Sequence, residues 1–142
     1  MNFKNLFGNA PKQLSPYDSL SQTQKLAAMN LMIAFGGSCS MTDEIIGKIN
    51  HIMTVVGQEM NVSVKQVNSI FFVDMKDMVD KLKGCNRMAL EKLLGPFYCI
   101  VCMSNSLQAV QVLINIYAEL GFSAQDCAII LEKMAGRKVI EF

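Results

Sequence analysis

Met88-Ala89-Leu90-Glu91-Lys92-Leu93-Leu94-Gly95-Pro96-Phe97-Tyr98-Cys99-Ile100-Val101-Cys102-Met103-Ser104 is the stretch that decides the fold. From Pro96 to Met103 every residue is apolar or nearly so. A helix that is apolar all round cannot lie on a surface and must be covered on several sides. The stretch therefore predicts a central helix over 88–104, with Pro96 kinking it or starting a fresh turn after Gly95. The rest of the chain supplies amphipathic segments to do the covering. No polar constellation of comparable strength accompanies it.

The 142 residues suit a single domain with a real core. The composition is 51% hydrophobic and 18% charged, more apolar than an ordinary globular domain. The longest apolar run, 96–103, falls far short of the ~20 residues that span a bilayer. No membrane-spanning segment is expected, which leaves room for peripheral association. Residues 1–20 hold no continuous apolar stretch of the kind a secretory signal needs. Five cysteines, an odd number without scaffold-like spacing, read as reduced thiols in a cytoplasmic protein. Thirteen basic residues against twelve acidic ones give no basic excess to meet phosphates, so nucleic acid is not an expected partner. Eleven methionines and no tryptophan suit irregular cores and adaptable contact surfaces.

Working outward, Pro11 and Pro16 interrupt an N-terminal arm over 1–19, in which Phe3, Leu6, Phe7 and Ala10 share helical spacing. One helical domain is expected over 20–136 and a short tail over 137–142. Ser21-Gln22-Thr23-Gln24 is a capping box opening a helix over 20–36, with Leu26, Met29, Met32 and Ile33 on one face and Gly36-Gly37 ending it. Ile45, Ile46, Ile49, Ile52, Met53 and Val56 form a helical stripe over 42–59. Ser63-Val64-Lys65-Gln66 opens a third helix, with Val64, Val67, Ile70 and Phe71 expected inward. A fourth, over 73–83, carries Met75, Met78, Val79 and Leu82 on one side and closes at Gly84. After the central helix come segments over 106–120, with Leu107, Val110, Leu113, Ile114 and Tyr117 apolar, and over 123–134, opened by Ser123. The one stretch that could compete as a strand is Lys138–Phe142.

The two halves resemble each other. Glu59-Met60-Asn61-Val62-Ser63 returns sixty positions later as Glu119-Leu120-Gly121-Phe122-Ser123. Ile52, Met53, Val56 and Ile70 fall on Val112, Leu113, Ile116 and Ile130 at that offset. Lys25-Leu26 and Ile33 fall on Lys92-Leu93 and Ile100 at an offset of sixty-seven. The expected fold is all-α: about seven helices, in two three-helix units over 20–72 and 87–134 that bury their apolar faces on each other around the central helix.

This pattern over roughly 21–134 resembles the TerB-like family, named for a tellurite-resistance protein. The resemblance lies in a capped helix, a loop, a long helix and then Glu-apolar-x-apolar-Ser into another helix, twice over. It implies a helical interaction module, in a stress-response or envelope-associated assembly. It also implies a divalent-metal site built on acids in the loop after each half's first helix. Here Phe35-Gly36-Gly37 puts glycine at the aspartate position, while Asp43 and Glu44 stand downstream as candidate ligands. The second-half loop, Ser104-Asn105, has no acid. Hard cations need several oxygen ligands, so no bound metal is expected.

Cys99-Ile100-Val101-Cys102 is a C-x-x-C inside the most apolar segment, which reads as core packing, with a thiol redox site as the alternative. A zinc site would need two more ligands from Cys39, Cys85, Cys127 and His51, and no second pair has ligand spacing. His51, the only histidine, flanks a stripe and reads as an edge residue. Asp74, Asp77 and Asp80 share a face but are interleaved with Lys76, Lys81 and Lys83, as on a solvated surface. The expected function is a non-enzymatic TerB-like interaction module that binds a protein partner or its own copy. No catalytic residue and no cofactor are expected. The rivals are a metal-binding sensor using Asp43, Glu44 or the aspartates, and a thiol protein using Cys99 and Cys102.

Overall fold

The computed structural model describes residues 15–37, 42–103 and 107–137, with side chains as far as Lys133. A 3-10 turn, Pro16–Ser19, precedes seven α-helices: α1 Gln22–Gly37, α2 Asp43–Met60, α3 Val64–Ser69, α4 Met75–Leu82, α5 Arg87–Met103, α6 Leu107–Glu119 and α7 Ala124–Arg137. No strand occurs among the described residues, and the fold is all-α. The reading of Phe3 to Ala10, the loop with Cys39 and the strand-like tail Lys138–Phe142 lie outside them.

Six of the seven helices start where a short polar side chain takes up a free amide. Ser21 and Gln24 exchange bonds of 2.9 and 3.1 Å at α1, and Ser63 and Gln66 exchange bonds of 2.8 and 3.1 Å at α3. At α7, Asp126 plays the part of the glutamine: it accepts from the Ser123 amide at 3.2 Å and its own amide donates to Ser123 Oγ at 3.0 Å. Thr42, Asp74 and Asn86 cap α2, α4 and α5 by accepting amides from Ile45, Asp77 and Met88.

Helix ends are equally local. Asn61 (φ 57°) and Gly121 (φ 97°) are left-handed, and beyond them Val62 and Phe122 donate back to the Gly57 and Tyr117 carbonyls at 3.0 and 2.8 Å. These two junctions lie sixty positions apart. Burial does not follow the same offset throughout, since Ile52 is fully buried and Val112 is at the surface. Gly84 (φ 82°) follows α4 as expected. Gly36 and Gly37 end α1 as read, as its last two residues, but neither has the positive φ of a left-handed turn. Gly36 is there for contact: a Cβ on it would lie 3.3 Å from Ile49 Cγ2 of α2.

The central helix is as expected in its position. Leu90, Leu93, Leu94, Phe97, Ile100 and Val101 of α5 are buried, and α5 packs against the 3-10 turn, α1, α2, α6 and α7. The helix runs through Pro96, and Gly95 before it has no Cβ to meet the proline ring. A second helix is buried almost as completely. Leu26, Ala27, Ala28, Met29, Leu31, Met32 and Phe35 of α1 all lie inside, with α4 as its main neighbour. Phe35 and Phe97 join the two in an edge-to-face contact, with centroids 5.8 Å apart.

Three expectations need correction. Ile33 and Ile46 are substantially exposed, because each lies off the side of its helix that meets the core. Val64 and Phe71 are exposed rather than inward, and Ile70 is only half-buried. The helical phase that placed Ile70 and Phe71 inside stops at Ser69, where Ile70 turns extended (φ −105°, ψ 145°), while Val64 is exposed at the first position of α3. Leu107, at the start of α6, is also exposed. The N-terminal arm docks on the domain through Tyr17, which is buried, as is Leu20 at the start of the domain.

Candidate functional site

The polar contacts that reach the interior are structural ties. Tyr117 Oη donates to the Leu90 carbonyl at 2.6 Å, joining α6 to α5 inside the core. Lys92 pairs with Glu59, lies 4.7 Å above the Tyr17 ring and reaches Ser15 Oγ at 3.5 Å, tying the 3-10 turn and α2 to α5. Burial, aided by the Glu59 charge, pushes the Tyr17 phenol far above its ordinary value. Arg87 sits 4.0 Å above the Phe122 ring and 3.4 Å from Asp126 Oδ2, which holds the start of α5 to the junction before α7. The Ser123 amide and hydroxyl, with Arg87, hold the Asp126 carboxyl below its usual range. Every buried side-chain nitrogen or oxygen among the described residues has a partner.

Asp43 and Glu44 open the first turn of α2, where carboxylates favour the positive end of the helix dipole. Both are exposed, and Glu44 lies 3.3 Å from Lys48. Asp74, Asp77 and Asp80 also have ordinary tasks. Asp74 caps α4, Asp77 accepts the Val73 amide at 3.1 Å and pairs with Lys81, and Asp80 pairs with Lys83 at 3.0 Å. His51 is exposed on α2. No group of three or more histidine, cysteine, aspartate or glutamate residues comes together among the described residues.

The C-x-x-C is not the interior pair that its sequence suggests. Cys99 is half-buried, and Cys102, one turn on, is exposed. Both stand as thiols, as do half-buried Cys85 and buried Cys127. Burial, and then the neighbouring Cys102, push the Cys99 thiol up to about 11. Burial also raises Cys85 and Cys127, so these three are protonated near neutral pH. Tyr98, one turn before Cys102, is raised chiefly by its hydrogen bond with that thiol.

Two apolar features remain. One is a cleft of about 120 Å³ between α5, α6 and α7, whose walls include Leu94, Tyr98, Leu113 and Cys127. The other is the segment between α3 and α4. There Phe71 is 83% exposed, Phe72 9% and Val73 77%, the alternation of an extended chain. Val64, at the start of α3, adds a further large apolar side chain at 78% exposure.

No protein-family model matches the chain, and neither the curated proteins nor the solved structures gave a match. The functional reading therefore rests on the residues alone.

Sequence reasoning put His51 at the edge of a stripe and Asp74, Asp77 and Asp80 on a solvated face; His51, Asp74 and Asp80 are exposed, and Asp77 is half-buried. That reasoning missed the exposed Phe71–Val73 segment because it carried a helical phase past Ser69. The signal available was Phe71-Phe72-Val73-Asp74 itself, in which β-branched and aromatic residues precede a capping aspartate. The α5–α7 cleft had no sequence signal, because its lining reads as ordinary core.

Proposed function

We propose that the chain is a non-enzymatic helical interaction module of the TerB-like kind, with its contact surface on the segment from Val64 to Val73. The observation that carries this reading is the exposure of Val64, Phe71 and Val73 within ten residues. Three large apolar side chains in one short stretch of surface lower their free energy by meeting another protein surface. The ion-paired and capping roles of the nearby aspartates support binding over catalysis. The two-unit repeat and a place in a stress-response or envelope-associated assembly belong to the same proposal and rest on the sequence resemblance.

The partner this reading makes testable first is a second copy of the chain. Sedimentation velocity over a concentration series should show self-association of the full chain, and Phe71→Ser with Val73→Ser should shift it to monomer. Both residues lie outside the core, so the double variant should keep the wild-type melting temperature. Identical association in the two proteins would place the contact elsewhere and defeat the reading.

A further inference from the structure

We infer that the cleft between α5, α6 and α7 is a binding site for a small uncharged apolar molecule, about the size of one aromatic ring. Three features of the cleft define that ligand. The first is size. Its volume of about 120 Å³ is close to that of engineered cavities that stay dry and take up benzene. The second is chemistry. Leu94, Val110, Leu113, Ile114 and Leu131 supply carbon surface from all three helices. A water molecule needs two to four polar partners, and this lining offers almost none. A charged ligand would lose its hydration with no ion pair in return. Cys127 does not change this, because burial keeps its thiol protonated. The third is access. Ala124 and Ala128 stand one turn apart on α7 and are both exposed, so the wall they form has short side chains where longer ones would fill the space.

This site is independent of the Val64–Val73 surface and shares no residue with it. The probe is benzene, titrated into the full-length protein and followed by amide and methyl NMR shifts. Benzoate, the same ring with a charge, is the comparison. Benzene should give saturable shifts centred on Leu94, Leu113 and Leu131, and benzoate should give none there. Ala128→Leu fills the cleft from its exposed wall and should weaken benzene by about tenfold or more, the scale on which extra methylenes discriminate in apolar pockets. Ala128→Ser keeps the volume and should bind benzene nearly as the wild type does, which controls for any loss of folding in the leucine variant. Unsaturable or scattered benzene shifts would overturn the site. So would equal shifts with benzoate, or a folded Ala128→Leu protein that binds benzene undiminished.

Discussion

Tyr117→Phe tests the interior at a single bond. The phenol donates to the Leu90 carbonyl at 2.6 Å, inside the contact between α6 and α5. The substitution keeps the ring, and with it the edge-to-face contact with Phe122 at 5.3 Å. What it removes is one buried neutral hydrogen bond, worth about 1 kcal/mol net. For a domain of this size that is a fall in melting temperature of roughly 3–5 °C. The pH dependence gives a sharper test. Burial, with Tyr17 and Cys127 nearby, holds the Tyr117 phenol well above its ordinary value. The folded protein therefore favours the neutral phenol. That contribution is fully present below the unfolded value near pH 10 and is lost as pH rises above it. At about pH 11 the wild type has lost roughly 1.4 kcal/mol that phenylalanine cannot lose. The variant should thus be the weaker protein near neutral pH and the equal or stronger one at about pH 11, with a crossing between roughly pH 10.5 and 11. Tyr17 and Cys99 titrate in both proteins, so their effects cancel in the difference. Urea titrations followed by far-ultraviolet circular dichroism give that difference directly. A stability gap that stayed constant across the alkaline range would mean that Tyr117 ionises as readily in the folded chain as in the unfolded one. The buried bond would then be refuted.

Ile100→Asp should abolish cooperative folding, because it exchanges ~2–3 kcal/mol of buried side chain for an unpaired interior charge costing several kcal/mol more; a wild-type melting curve would contradict the position of α5. Among Cys85, Cys99, Cys102 and Cys127, iodoacetamide near neutral pH should label exposed Cys102 first and buried Cys127 last, read by peptide mass spectrometry. Early labelling of Cys99 would mean that its thiol is not held up by burial. Calorimetric titration of chelator-treated protein with calcium or magnesium should show no saturable heat at micromolar metal, since Asp43 and Glu44 stand in solvent with Glu44 beside Lys48; a tight stoichiometric site would restore the sensor reading.

The legible parts of this fold were those with local causes. Ser21, Ser63 and Ser123 each sit three residues before a side chain that can reach back, and all three open helices. The apolar run of α5 called for cover on several sides, and Leu90, Leu93, Leu94, Phe97, Ile100 and Val101 lie inside, while Cys102 reaches the surface. What was not legible depends on partners distant in the chain. Gly36 reads only as a stop signal, and its packing role shows once Ile49 is known to pass 3.3 Å from where its Cβ would be. Ala27 and Ala28 carry little hydrophobic signal, yet both are fully buried, because small side chains let α1 lie close to its neighbours. Tyr17 follows two prolines and looks like part of a tail, but it is buried in the core with Lys92, over seventy residues away, 4.7 Å above its ring.

The candidate surface was missed for a different reason. Periodicity reports the side of an element on which a residue lies, provided that the element continues. Val67 obeyed the helical phase and is buried, whereas Phe71, one helical turn on, would have followed only if α3 had lasted another turn. Extended backbone at Ile70 changes the repeat from 3.6 to 2, which turns Phe72 inward and Phe71 and Val73 outward. The Asp74 cap fixes that outcome, since it accepts the Asp77 amide at 2.8 Å and starts α4 at Met75. A cap four residues after Ile70 leaves too little chain for α3 to continue and for α4 to begin where it does. The exposed apolar segment is therefore a consequence of where two helices end and begin, and changing Asp74 would alter the surface as well as the cap.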